Sequence, residues 1–333
     1  MRRFQIGIIG LAMAVSGLLS AAQAPQAPAA GQGQGPAAGP APTGRQGGTA
    51  RQGGAGRQGG GRGGGGRGQQ VRIRKTLLAW ADTRNGQSQH AFTSHALAIV
   101  ERLGYESGLW DTFIRTDSNI VANTAFKTDG TPASGGPSLS NTDGIFFLGH
   151  REIDINPKQR EELLAYVRSG HGFVAAHTGL TAFESWPEFG EMVGAQYEGH
   201  LYTGPGQVIS EQPNFPAVKH LGPMFNFTDE FYRAKTFSRD KIDVLLRFNP
   251  SSVPGTTLAK DGDFPLAWAK NYGQGRVFYG SFSHDATSWD IRNIQLMYFE
   301  AIKWSLGLSD APVQPHKMTA APAATPAEAP PAQ

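Results

Sequence analysis

The residues best equipped for chemistry are histidines placed where apolar runs stop. Gly172-Phe173-Val174-Ala175-Ala176 is small and apolar, ends at His177-Thr178-Gly179, and is followed by a helix-like stretch. Such a run reads as a strand buried on both faces of a parallel sheet. From Ala175 to Gly179 the order small-x-His-x-Gly has the spacing of a nucleophile elbow, the tight turn that presents one side chain above an α/β sheet. Here that side chain is an imidazole, where a serine or cysteine is usual. A second apolar run, Val277 to Phe282, delivers Ser283-His284-Asp285, and His200 stands in the glycine-rich stretch Gly199 to Gly204. Asp229 and Glu230 are set among aromatics in Phe227-Thr228-Asp229-Glu230-Phe231-Tyr232. Two or three imidazoles with one carboxylate form a ligand set for zinc, manganese or iron. They equally form a general acid/base pair in which a carboxylate orients an imidazole. A strand-end histidine that only caps a loop is the plainer alternative, and spacing alone does not separate the three.

The elements that must position these groups follow from the pattern. Thr76 to Asp82 reads as a first strand, and Ala91 to Leu103 has helical spacing with Gly104 as its C-cap. Leu109 to Ile114 is a weaker strand, residues 116–142 a long polar loop over the sheet edge, and Asp143 to Leu148 a third strand. Asn156-Pro157-x-Gln159 carries a cap, a first-turn proline and a capping-box glutamine, opening a helix that stops at Gly170. The alternation of strands and helices predicts a parallel sheet with crossover connections, and function in such sheets lies beyond the carboxyl ends of the strands. Asp82 and His177 occupy such ends. His200 is expected in a loop, Gln207 to Ser210 and Ile242 to Phe248 in strands, and Pro265 to Lys270 pairs with Gly275 to Phe282 across a glycine-bearing turn. Asn293 to Leu306 is an amphipathic closing helix.

The two ends differ from this. Residues 1–24 have Arg2-Arg3, an apolar run from Ile6 to Leu19 and a small-x-small site at Ala22-Gln23-Ala24, the pattern of a secretory signal peptide whose core is too short to span a membrane. Residues 25–70 are Ala/Pro/Gly/Arg-rich repeats with almost nothing to bury, expected to be a disordered linker; 309–333 is expected to be a disordered Pro/Ala tail. The ordered domain is expected over 71–308. Of 30 Lys and Arg, ten fall in residues 1–75, which hold no acid, leaving 20 basic against 27 acidic residues in the remainder. The basic character belongs to the leader and linker, and the folded part suits a neutral substrate better than a polyanion. No nucleic-acid partner and no membrane anchor after leader removal are expected, and the mature chain is expected to be periplasmic or secreted. With no cysteine there is no disulfide and no thiol nucleophile.

In order and spacing, Gly172 to His177, Phe189 to Ala195 leading to His200, Asp229-Glu230-x-Tyr232, Pro265-Leu266-Ala267-Trp268, Gly273 to Tyr279 and His284-Asp285 resemble the ThuA-like (trehalose utilisation) family, from about Thr76 to Leu308. The resemblance implies an α/β, three-layer, class I glutamine amidotransferase-like (flavodoxin-like) fold: a mostly parallel sheet with helices on both faces. His177 then falls on the amidotransferase cysteine position and His284 close to its histidine position. Without cysteine, glutamine hydrolysis through a thioester is impossible. The family's link to trehalose and oxidised (3-keto) disaccharides implies a small carbohydrate substrate and no nucleotide cofactor.

The expected assignment is therefore an exported hydrolase or lyase for a glycoside or 3-keto-glycoside. His177, His284, Glu230 and Asp82 are its expected catalytic groups, and His177, His200 and His284 its metal ligands. Trp186, Trp268, Tyr202, Tyr232, His90 and Asp229 are its expected sugar contacts. A non-catalytic sugar-binding module is the main alternative. An amidase using Thr178 or Ser283 is the weaker one, since neither residue holds the elbow position.

Overall fold

A computed structural model describes residues 74–84 and 89–322. The expected signal peptide, linker and last eleven residues lie outside the described residues. In chain order the elements are β1 (Lys75–Trp80), α1 (Thr93–Ser107), β2 (Trp110–Arg115), β3 (Gly144–Phe147), α2 (Pro157–Arg168), β4 (Gly172–Ala176), α3 (Pro187–Val193), β5 (Gln196–Ser210), β6 (Met224–Lys235), β7 (Asp243–Asn249), β8 (Pro265–Tyr272), β9 (Gly275–Gly280) and α4 (Arg292–Ser305). They form one nine-stranded sheet in the order β2-β1-β3-β4-β9-β8-β7-β5-β6. The half from β2 to β9 is parallel, and β8, β7, β5 and β6 extend it antiparallel.

The alternation of side chains along each strand separates two apolar layers. On one face Leu77, Ala79, Phe146 and Val174 pack with α1 and α4 through Ala96, Val100, Met297 and Ile302. On the other, Leu78, Trp80, Phe147 and Phe173 pack with α2 and α3 through Leu163, Val167, Phe189 and Met192. The three-layer α/β architecture expected from the sequence is present. α2 opens with the reciprocal Asn156–Gln159 capping box.

Three local expectations change. α1 runs past Gly104 to a left-handed cap at Gly108; Gly104 is needed instead because a Cβ there would run into the Trp110 indole. The stretch from Gly199 to Gly204 is not a loop but part of β5, whose pairing with β6 is broken by irregularities at Tyr197/Gly199 and His200/Tyr202. Finally, residues 309–322 are not a loose tail. Trp304 Nε1 donates to the Ala311 carbonyl (3.0 Å), the Gln314 amide donates to Asp243 (2.8 Å), and Ala311 and Val313 pack on the core. Tertiary packing decided this segment, where local composition suggested disorder.

Candidate functional site

The elbow is built as its spacing requires. His177 directly follows β4 and opens a 3-10 turn, His177–Leu180, with φ at 38°, a left-handed conformation that a non-glycine residue holds only when its surroundings impose it. Those surroundings are visible: the Tyr279 hydroxyl donates to the His177 carbonyl (3.1 Å), and at Gly179 a Cβ would lie 3.0 Å from the Ala175 methyl and 3.1 Å from the Phe147 carbonyl. The second turn, after β9, is likewise left-handed at Ser283 (φ 83°). It is clamped by Asp229, whose carboxylate accepts the amides of Ser283 (2.6 Å), His284 (3.0 Å) and Glu230 (2.9 Å). Burial pushes the Asp229 carboxyl up, against those hydrogen bonds.

The two turns bring imidazoles and a carboxylate together. His177 Nδ1 lies 2.8 Å from the Ser281 carbonyl, which only accepts, so that nitrogen carries a proton, and whenever the ring is neutral the Nε2 lone pair faces inward. Nε2 lies 3.3 Å from His284 Nδ1 and 3.6 Å from Glu230 Oε2; His284 Nδ1 lies 3.0 Å from the same oxygen. Donor atoms of His90, His177, Glu230 and His284 all fall within 4.8 Å of one another. Ligand atoms about 2.05 Å from a tetrahedral zinc stand roughly 3.3 Å apart, so the three closest pairs already have that spacing. Glu230 Oε2 is buried and makes no well-aligned hydrogen bond, as a carboxylate oxygen reserved for a cation would. Holding a histidine by a backbone carbonyl at its far nitrogen is also how metal-binding imidazoles are oriented. The residues fit a divalent metal.

The facing His177 ring, ahead of His284 and His200 and against the effect of burial, holds the Glu230 carboxyl down at about 2. Burial first, then the neighbouring His177, His150 and His284 rings, lowers His90 to about 4. Above the cluster opens a cleft of about 360 Å³, lined among others by His150, Arg151, Thr181, Tyr197 and His200.

Residues 76–305 match the trehalose utilisation family, ThuA. The chain belongs to the ThuA family. Among solved structures, a ThuA-like protein from Bacteroides uniformis superposes with a TM-score of 0.56 at 20% identity, covering 71% of this chain and 92% of that one. Another from Parabacteroides merdae gives 0.55 at 17% identity, covering 70% and 90%. At these identities the likeness carries the fold. No curated protein sequence matches the chain.

This ThuA domain redistributes the roles expected for its residues. His177, His284 and Glu230 converge as expected. His90 supplies the further ligand atom in place of His200, which lies outside that group. His200 instead reaches Glu230 Oε1 from the cleft side (3.5 Å), its ring half open to solvent. Asp82 does not serve the histidines: its buried carboxylate accepts the Ser118 hydroxyl (2.6 Å) and the Arg84 amide (2.8 Å). Asp229 is a backbone clamp rather than a sugar contact. Of the four aromatics, Tyr232 alone lines the cleft, its ring 4.1 Å from His177 and 5.6 Å from His200. Trp268 is core, bonded to the Val193 carbonyl (2.8 Å) and tilted against Tyr279; Trp186 packs with Phe183 and Phe189, and Tyr202 with Phe248. The cleft is also lined by Tyr197, to which no sequence pattern points, and by His150, which the sequence reading ranks below His177, His200 and His284. His150 lies three residues beyond β3, past Leu148-Gly149, whereas His177 directly follows β4, so a looser reading of the strand-end rule is needed to reach it.

Proposed function

We propose that the cleft is the active site of an exported, metal-dependent enzyme that removes the glycosidic substituent of a sugar oxidised at C3. The observation that carries this reading is the convergence of His90, His177, Glu230 and His284 beneath a cleft at the carboxyl ends of the parallel strands. A zinc, manganese or iron ion bound there supplies a Lewis acid that polarises a sugar carbonyl or hydroxyl. The remaining work falls to the chain. A carbonyl at C3 acidifies the C2 hydrogen. His200, open to the cleft and backed by Glu230 Oε1, takes that proton; the C2–H electron pair becomes a C1–C2 double bond as the C1–O bond breaks, and the departing oxygen receives the proton. Glu230 compensates the charge on His200 between the two transfers. Tyr232, packed against both rings, fixes their orientation and excludes water from one side. Base-driven elimination suits this histidine-rich site, which lacks the paired carboxylates of ordinary glycosidases. The leader-like residues 1–24 support export to the periplasm or beyond.

Purified protein is expected to hold stoichiometric metal, to lose it in His177→Ala, and to turn over 3-oxidised disaccharides but not their native forms, with activity abolished by chelator. Metal-free protein that binds native sugars and leaves them intact would sink the enzyme and leave a sugar-binding module.

A further inference from the structure

Outside the histidine cleft lies a larger hollow that the mechanism does not use. Residues 116–142 leave the carboxyl end of β2 and, with Arg84 from the segment after β1, enclose about 570 Å³, within the usual range for small-molecule sites. Its walls are held in place. The Lys127 amide donates to the Thr131 carbonyl (2.8 Å), Ala133 to Ala125 (2.8 Å) and Leu139 to Ala122 (2.9 Å). From α2, the Gln159 amide donates to the Ser118 (2.7 Å) and Val121 (3.1 Å) carbonyls, and Glu162 accepts the Asn123 amide (2.8 Å). A preformed hollow spares a ligand the cost of ordering it.

The lining has a definite chemistry. Arg84, Arg115 and Lys127 contribute three positive charges, and Asp117, the one acid among the described lining residues, already accepts the Asn119 amide through Oδ1 (3.0 Å). Among the described residues, neither Arg115 nor Lys127 forms an ion pair, and Arg84 reaches only Asp82, at 3.6 Å. The remainder of the wall mixes amide and hydroxyl side chains, such as Asn119 and Ser138, with the apolar Ile120, Ala125 and Pro137 and the partly exposed ring of Phe126. Unpaired guanidinium and ammonium groups over a wall of mixed hydrogen-bonding and apolar side chains favour a ligand with one oxyanion, several hydroxyls and an apolar face.

We propose that this hollow binds a carboxylated sugar, such as a uronate unit of an oligosaccharide. Arg115 and Lys127 receive the carboxylate, Asn119 and the hydroxyls receive the ring oxygens, and Phe126 meets the apolar sugar face. The site needs no metal and is independent of the histidine cleft.

Calorimetric titration of the full chain with a galacturonate disaccharide, the matching neutral disaccharide and inorganic phosphate tests it. The uronate is expected to bind, more weakly as salt rises, with the neutral sugar far weaker. Affinity should fall about tenfold in Arg115→Gln and in Lys127→Gln, one charge-assisted contact being lost in each, and should be unchanged in His284→Ala. Lys127 is exposed, so its variant guards against a folding defect in the other. Equal binding of the neutral sugar, uronate binding that survives both charge variants, or its loss in His284→Ala would overturn the proposal. So would phosphate that outbinds the uronate and depends on the same two residues, which would make this a free-oxyanion site.

Discussion

Glu211 and Glu230 are both largely withdrawn from solvent and both lie near histidines, but they meet opposite electrostatic surroundings. The Glu211 side chain is fully buried between two guanidinium groups, Arg239 and Arg247, each 2.6 Å away. Arg239 also forms an ion pair with Asp263 at 2.7 Å, and His316 stands 3.6 Å from Glu211 on the far side. Every charge there has a fixed, permanent partner. Among the described residues, Glu230 has only imidazoles for ion-pair partners, His177, His200 and His284. Imidazoles are charged or neutral according to conditions, and when neutral they present lone pairs. The Glu211 cluster thus sets each carboxylate against a guanidinium of the protein itself and tethers the carboxy-terminal segment, whereas the Glu230 cluster is a group of ligand atoms that could hold a metal ion. The same residue types are neutralised by arginine in one place and left among imidazoles in the other, and the presence of arginine makes the difference.

Removing each carboxylate should break the two clusters in different ways. The largest effect is expected for Glu211→Gln. It leaves Arg247 buried without its carboxylate, a change that costs about 3–5 kcal/mol of folding stability, read as a lower midpoint in denaturant; metal content of the folded fraction should not change. Next is Glu230→Gln. It should lower metal affinity at least about 100-fold, the upper range for losing even an outer partner of a metal ligand, while metal-free stability falls by less than in Glu211→Gln, because the partly exposed Glu230 carboxylate faces imidazoles rather than a buried guanidinium. If Glu230→Gln unfolds the metal-free protein as severely as Glu211→Gln, the contrast fails.

The pH response of the chelated protein should sharpen it. His90 is lowered from 6.5 to about 4. As pH falls below 6.5 the unfolded chain takes up a proton there and the folded chain does not, so stability declines between 6.5 and about 4 and then levels off. For Glu230, lowered from 4.5 to about 2, the folded carboxylate stays ionised after the unfolded one has protonated. Its contribution is therefore present above 4.5 and lost between 4.5 and about 2. His90→Gln should flatten the upper part of the acid limb and Glu230→Gln the lower part. Unfolding curves across both ranges that are unaltered in His90→Gln would remove His90 from the buried cluster.

Much of the Glu230 cluster was legible beforehand and almost none of the Glu211 cluster was. His177 and His284 announce themselves because apolar strands end at them, and β4 and β9 are neighbours in the sheet. The same rule misassigned Asp82, because its partner, the Ser118 hydroxyl, comes from a loop 36 residues on that no local pattern connects to it. His200 was misplaced because Gly199 and Gly204, both at positive φ, read as loop, whereas cross-strand pairing with β6 and two irregularities in register set its direction. Trp268, Trp186 and Tyr202 have the right chemistry for sugar stacking, yet core packing claimed them, and aromatic content cannot distinguish the two uses. The Glu211 cluster joins residues 211, 239, 247, 263 and 316, spread over the antiparallel half of the sheet and the tail. Such contacts are fixed by topology rather than by local sequence.

The smallest effect is expected at the tail itself. His316 Nε2 lies 3.1 Å from the Val244 carbonyl and Nδ1 lies 2.7 Å from the Lys317 carbonyl, so His316→Gln removes at most one or two net hydrogen bonds, about 1 kcal/mol. The segment keeps its other attachments: Ala311 to Trp304, Gln314 to Asp243, and the Thr319 carbonyl, which accepts from Arg247 at 3.1 Å. Glu211 likewise keeps both arginines, so no buried charge is left unpaired. A denaturation midpoint shifted by that small amount, with metal content and turnover unchanged, fits a cluster that is structural only. A loss of metal in His316→Gln comparable to that in Glu230→Gln would show that the tail cluster reaches the histidine cleft, and the division between the two clusters would have to be abandoned.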